Sequence, residues 1–225
     1  MGAPQGSLEG VVESAAQTQA PASPSPMRRT WDGARTVVLA LLIGFSVRVG
    51  IAEAYVVEGP SMEPTLQNRD RVWVAKYAYG LSVPGITEQV ATWSAPNPGD
   101  VVIVNSPMDG LDLVKRVIGV GGDRIDIRDG RIYRNGELLP RHMVGPCDPT
   151  TMLEPDPTCE VFDESLDGRH YRTSRSPDFF EYELSTEVPP GHVFVMGDHR
   201  DRSNDSRTFG PVPVTRIRGR VLGLD

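Results

Sequence analysis

Three short segments of this 225-residue chain carry residue types that can do chemistry together. In Gly59-Pro60-Ser61-Met62-Glu63-Pro64-Thr65-Leu66 a serine stands between two prolines. Proline fixes φ, removes a backbone donor and restricts the residue before it, so the spacing predicts a stiff, irregular turn that aims the Ser61 hydroxyl. In Leu111-Asp112-Leu113-Val114-Lys115-Arg116-Val117-Ile118, strand alternation sets Leu113, Lys115 and Val117 on one face. Burial in such an apolar row lowers a lysine pKa, and a neutral amine near pH 7 can take a proton from a serine. The third segment, Gly197-Asp198-His199-Arg200-Asp201-Arg202-Ser203-Asn204-Asp205-Ser206-Arg207, is filled with charged and short polar residues and followed by Gly210. That composition fits a tight turn built against a site.

Each segment also has a plainer reading. A serine needs a base to become a nucleophile, and His142, His170, His192 and His199 compete with Lys115 for that role. Chain order allows a Ser-His-Asp arrangement, but the Gly-x-Ser-x-Gly elbow is absent. His142 and His170 fall in an irregular stretch. His192 opens a strand as an exposed residue, and His199 reads as a locally hydrogen-bonded turn residue. The plainer fate of Lys115 is an ammonium reaching water from a sheet edge. That of the 198–207 charges is a solvated loop.

The elements that must position these groups are mostly strands. Arg71-Val72-Trp73-Val74-Ala75-Lys76-Tyr77 alternates and is rich in branched and aromatic residues. Short apolar runs at 101–104, 111–118, 192–196 and 216–222 add further strands. Asp129-Gly130, between Ile125-Asp126-Ile127-Arg128 and Arg131-Ile132-Tyr133-Arg134, marks a two-residue hairpin turn, and Asn135-Gly136 marks another. From about 140 to 182 the pattern dissolves into Pro, Asp, Ser and Thr, which predicts an irregular surface insertion. It holds Cys147 and Cys159, two free thiols in a reducing compartment or a bridge outside it, worth roughly 3 kcal/mol as a loop closure.

Residues 1–30 hold few large apolar groups and are expected to be a disordered tail. An apolar run follows, interrupted by Arg48, and 31–55 is expected to be a membrane anchor near the lower length limit of about 20 apolar residues. Arg28, Arg29 and Arg35 precede it, which puts the N-terminus in the cytoplasm and everything after Tyr55 outside. A cleavable signal peptide ending at Ala52-Glu53-Ala54 is the competing reading. The net charge of -7 argues against a nucleic-acid partner. The cysteine spacing lacks the form of a zinc or redox site, so no metal is expected.

Taken in order, the serine, lysine and Gly-Asp boxes resemble those of bacterial type I signal peptidases, membrane-bound serine–lysine proteases that remove signal peptides. The resemblance runs from about Arg48 to Arg220. It implies a mainly β, signal-peptidase-like catalytic domain over 56–225, carrying the surface insertion, behind one N-terminal transmembrane helix in the cytoplasmic (inner) membrane. Ser61 matches the nucleophile, Lys115 the general base, and Ser203 the serine that holds the lysine amine. Asp205 and Arg207 match a supporting charged pair, and Gly99-Asp100-Val101-Val102 resembles an intervening box. Tyr55, Val57, Met62, Leu66, Ile103 and Val114 match the lining of shallow pockets for small side chains of the substrate. The implied partners are preprotein signal peptides, the lipid bilayer and the secretion translocon; no metal or organic cofactor is implied.

Three positions depart from the family pattern. His199 stands where Asn is usual, Gly121 where Pro is usual before Gly-Asp, and Gly59 where some members have a serine that donates to the oxyanion. Backbone N–H groups, Ser61's foremost, are then expected to form the oxyanion hole. Two rivals remain. LexA-like self-cleaving repressors share the dyad but carry a DNA-binding domain that residues 1–30 cannot supply. A membrane-anchored, non-catalytic β domain that binds extended peptides or partner proteins would lack one of Ser61, Lys115 and Ser203.

Overall fold

The structure is a computed structural model that describes residues 2, 31, 34–41, 44, 52–83, 86–176 and 183–224. It is mainly β. In chain order the strands are β1 (Ala52–Val56), β2 (Arg71–Ala75), β3 (Gly80–Leu81), β4 (Ala91–Thr92), β5 (Val101–Asn105), β6 (Asp112–Val120), β7 (Arg124–Arg128) and β8 (Arg131–Arg134). They continue as β9 (Glu137–Leu138), β10 (Arg141–Pro146), β11 (Glu160–Leu166), β12 (Arg169–Arg175), β13 (Leu184–Glu187), β14 (His192–Met196), β15 (Val212–Pro213) and β16 (Ile217–Val221).

The central sheet has seven strands in the order β1-β2-β16-β5-β6-β14-β15. Its strands are Val- and Ile-rich because both faces are covered, which removes the usual alternation of apolar and polar residues. On one face Val102, Val104, Val117, Val193, Val195 and Ile217 pack together. On the other, Val57, Met62, Leu66, Val72, Val74, Val101 and Ile103 form a second cluster. A four-stranded sheet, β13-β7-β8-β9, encloses a third around Ile118, Ile125, Ile127 and Phe194.

The expected hairpins form at the expected residues. Arg128 pairs with Arg131 across Asp129 and Gly130, both at positive φ, 49° and 63°. Asn135 and Gly136 repeat that turn between β8 and β9 at 55° and 84°. Paired positive φ is the two-residue hairpin geometry, which Asn-Gly and Asp-Gly supply at low cost.

The stretch read as an irregular insertion is largely ordered. β10, β11 and β12 make a three-stranded antiparallel sheet inside it. The pattern is hard to read because the buried face of β12 carries Tyr171 and Thr173 rather than hydrocarbon. A third Asp-Gly turn, at Asp167 and Gly168 with φ of 51° and 80°, joins β11 to β12 and is the sequence signal for that hairpin. The irregular part that remains is 147–159, closed by a Cys147–Cys159 disulfide. Residues 177–182 lie outside the described residues.

The 31–55 anchor also needs a correction at its end. Residues 34–41 are helical, but Ala52–Val56 is already strand, in register with Ala75–Arg71 of β2. Pairing with β2 makes the switch: Glu53 and Tyr55 share one face of β1, where Tyr55 packs on the core and Glu53 pairs with Lys76 at 3.0 Å. Among the described residues no helix is long and apolar enough to cross a membrane. Apart from Gly2, the 1–30 tail lies outside the described residues, as does Arg48.

Candidate active site

Ser61 occupies the loop that leaves β1. The loop is tied at its base by Val57 N–H to Asp70 O (2.9 Å) and Arg69 N–H to Val57 O (2.8 Å). Within it, Glu63 N–H reaches Pro60 O at 3.0 Å and Leu66 N–H reaches Met62 O at 2.9 Å. Met62 is fully buried and roots the turn in the core. The Ser61 carbonyl accepts from His199 N–H at 3.1 Å, which fixes the turn to the third segment. The Ser61 N–H has no hydrogen-bond partner among the described residues, whereas the Gly59 N–H is occupied by Asn68 Oδ1 at 3.0 Å.

Lys115 lies in the middle of β6, opposite Val102 of β5. Its Nζ is 2.7 Å from Ser61 Oγ and 2.9 Å from Val114 O. The side chain is 2% exposed in spite of its length. Burial lowers its pKa from 10.5 to about 8, while the carboxylates of Asp205 and Asp198 pull the other way and Arg207 adds to the drop. No acid is bonded to the amine, and its two partners are a hydroxyl and a carbonyl. The sheet-edge alternative, an ammonium bathed in water, is therefore not what forms.

The third segment is buried rather than solvated. Asp198, His199 and Asp205 have no exposure. Asp205 caps the short helix Ser206–Phe209, accepting from Arg207 N–H, and binds Arg207 Nε and Nη2 at 2.8 Å each. It also accepts from Gly197 N–H at 3.0 Å. Burial works to raise the Asp205 pKa, yet Arg207 and that N–H hold it below the usual carboxylate value. Ser203 packs against Gly197: a Cβ on Gly197 would meet Ser203 Oγ at 2.3 Å and Ser61 O at 2.4 Å. Only glycine lets the serine turn and Ser203 approach so closely. Ser203 makes no hydrogen bond to Lys115, whose bonds are the two just given.

The histidines do not supply a base. His142 and His170 are exposed on β10 and β12, and His192 is half-buried at the start of β14. His199 is fully buried, unlike the simple turn residue expected, and burial with the nearby Arg202 charge pushes its pKa down to about 4. Its nearest acid is Glu63, with Nδ1 3.8 Å from Glu63 Oε2.

A groove of about 260 Å³ opens beside the serine, lined by Tyr55, Val57, Ile103 and Val114 together with Ser61 and Lys115. Met62 and Leu66 do not line it; both are buried in the cluster beneath. β6 borders the groove with an open edge. It pairs with β5 from Asp112 to Arg116, but with β14 only from Arg116 onward.

Sequence reading missed the residues that hold the boxes to one another. Thr65 Oγ1 donates to Asp198 Oδ2 at 2.5 Å, joining the first segment to the third. Arg116 grips Asp198 with two bonds, Nε to Oδ1 at 2.8 Å and Nη2 to Oδ2 at 2.7 Å, joining the second to the third. Arg116 also donates to Gly99 O at 2.9 Å and lies 4.0 Å over the Tyr171 ring. Strand alternation had placed Arg116 between Val114 and Ile118, and a charge in a buried row requires a buried acid. That was the available signal.

The description "Signal peptidase, peptidase S26" belongs to the family model that matches residues 30–223. A signal peptidase I of Pseudomonas aeruginosa is 32% identical over 198 residues, covering 82% of this chain and 68% of its own. A probable signal peptidase I-2 of Synechocystis is 29% identical over 199 residues, 88% of this chain and 74% of its own. Among solved structures, a signal peptidase I from Enterococcus faecalis V583 is similar at 28% identity and a TM-score of 0.36, over 59% of this chain and 100% of that one. The extent of the family match and the identity to the Pseudomonas protein place this chain, a serine protease and hydrolase, in the signal peptidase family, peptidase S26.

Proposed function

We propose that this chain is an endopeptidase that removes N-terminal signal peptides from translocated preproteins, with Ser61 as nucleophile and Lys115 as general base. The observation that carries the proposal is the 2.7 Å separation of Lys115 Nζ and Ser61 Oγ at a buried amine whose pKa lies near 8. An amine of that pKa is partly neutral at physiological pH, the form that can accept a proton.

Neutral Lys115 takes the Ser61 proton as Oγ attacks the scissile carbonyl. The Ser61 N–H, which has no partner among the described residues, donates to the developing oxyanion. The lysine ammonium then protonates the leaving amine, and water, deprotonated in turn by Lys115, hydrolyses the acyl-enzyme. The substrate adds as an extended strand along the open edge of β6 over 112–115. Tyr55, Val57, Ile103 and Val114 leave shallow apolar room, which suits small side chains one and three residues before the cut. Asp205 and Arg207 support the site by fixing Gly197, and Ser203 fills the space behind the serine turn.

The anchor over 31–55, shortened by the strand from Ala52, retains the chain at the bacterial cytoplasmic membrane with the β domain on the outer side. The test is cleavage of a preprotein by the detergent-solubilised full chain. Cutting after a small-x-small sequence is expected, and Ser61→Ala and Lys115→Ala are each expected to abolish it while the β fold persists. Undiminished cleavage by Lys115→Ala removes the dyad. Peptide binding without cleavage by the unmodified chain favours the non-catalytic β domain.

A further inference from the structure

The disulfide-closed loop 147–159 does not hang free of the site. Leu153 N–H, at its tip, donates to Glu63 Oε1 at 2.9 Å. Glu63 is two residues from Ser61 and only 3% exposed. Its own carbonyl accepts from Ser174 Oγ of β12 at 2.9 Å. The same loop reaches the third segment, where Arg202 bonds Glu154, and the end of β12, where Ser176 Oγ donates to Asp156 at 2.6 Å. At the neck, Cys147 N–H meets Cys159 O at 2.9 Å beside the disulfide. Both ends of the loop continue directly into the β10–β11 ladder, which pairs Pro146 with Glu160.

From these contacts we infer that Glu63 is a positioning residue through which the Cys147–Cys159 loop holds the Ser61 turn, so that reduction of the disulfide slows catalysis. This rests on the assignment of Ser61 as nucleophile. A buried carboxylate oxygen takes its hydrogen bond from the irregular segment that the disulfide closes beyond the end of the β10–β11 ladder. Opening that closure gives the loop many more conformations and withdraws the Leu153 N–H from Glu63. A buried carboxylate left without its donor moves toward water, and the turn that carries Ser61 moves with it. The redox step balances simply. A dithiol gives two electrons and two protons, the S–S bond becomes two thiols, and the dithiol closes to its own disulfide.

The test uses the full chain in detergent micelles with a preprotein substrate. Dithiothreitol followed by alkylation is expected to lower kcat about tenfold, the size of one lost hydrogen bond to a charged group, with KM within about twofold. Glu63→Ala is expected to show the same loss, and reduction to add less than about twofold in that background. Glu63→Gln keeps a carbonyl acceptor for Leu153 and is expected to retain both the kcat and the sensitivity to reduction. A kcat unchanged by reduction, or the same fold-loss on reducing Glu63→Ala, overturns the inference. Amide exchange provides a readout that needs no turnover: reduction is expected to speed exchange at Glu63 and Leu66, and unchanged exchange overturns the inference whether or not the chain cleaves. Absence of cleavage by the oxidised, unmodified chain counts against the proposed activity alone, because the exchange experiment still decides on the loop.

Discussion

The two faces of β6 each bury a cation and treat it in opposite ways. Lys115 pairs across the ladder with Val102 and, among the described residues, its amine bonds only a hydroxyl and a carbonyl, and its pKa falls to about 8. Arg116, the next residue, is nearly as buried, at 3% exposure against 2%. Burial alone would lower its pKa too, but the two bonds to Asp198 hold it above its ordinary value. Burial is equal, so the difference comes from the partner. An unpaired buried cation gives up its proton, and a paired one keeps its charge and becomes structure. One residue of strand therefore separates the proposed base from a brace.

The largest test of this contrast exchanges the two chemistries. Lys115→Arg retains a cation of similar reach but one that does not deprotonate in proteins. It is expected to lose activity by on the order of 10⁴-fold or more, as Ser61→Ala does, measured as kcat/KM on a preprotein. Appreciable activity in Lys115→Arg would mean that the neutral amine is not the base. Next in size is Asp198→Asn, which leaves Arg116 buried without its counter-charge. Breaking such a pair costs about 3–5 kcal/mol, read as a lower urea midpoint with an unchanged slope. An unchanged midpoint would remove Arg116 from its bracing role.

The lysine's contribution to stability has a sign that can be measured. Its pKa is lower folded than unfolded, so between about 8 and 10.5 the unfolded chain binds more protons at this site. Stability from this group rises with pH across that window, by about 3 kcal/mol in all. Lys115→Met removes the dependence. The difference between the two stability curves is expected to shrink from pH 8 to pH 10.5, and a flat difference would mean that the amine is charged in the folded chain.

Legibility in the sequence followed the same division between apolar and ionic burial. Period-2 runs such as Val72 and Val74, and the Asp129-Gly130 turn, announced strands because local pattern and tertiary burial agree there. Ser61 and Lys115 could be paired because their boxes resemble a known family, and the alternation that set Lys115 in a valine row gave the physical reason. The sheet of β10–β12 stayed hidden because it is buried through polar contacts that no periodicity encodes. Tyr171 bonds Glu164, its partner across the β11–β12 hairpin, at 2.7 Å, and Arg200, distant in sequence, bonds the same carboxylate at 2.6 Å. Thr65, Glu63 and His199 were likewise visible as residues but not as contacts. Met62 and Leu66 were expected to line the groove, and turn geometry instead directs them into the core beneath it. Residues 34–41 are helical, while the start of β1 at Ala52 depends on pairing with β2, which a local window cannot see.

The smallest effect lies in the coupling between the two faces. With Lys115 as base, kcat/KM is expected to rise about tenfold per pH unit below pH 8 and to level above it. Asp198, although bonded to Arg116, still favours the lysine ammonium through its charge. In Asp198→Asn that attraction is gone and the Arg116 charge is uncompensated. Both changes disfavour a second cation, so the limb is expected to move to lower pH by less than about one unit. The paired face of β6 would then set not only where Lys115 sits but the pH at which it works. A limb that does not move would mean that the charges of Asp198 and Arg116 are hidden from the lysine, and would make the two faces electrostatically independent.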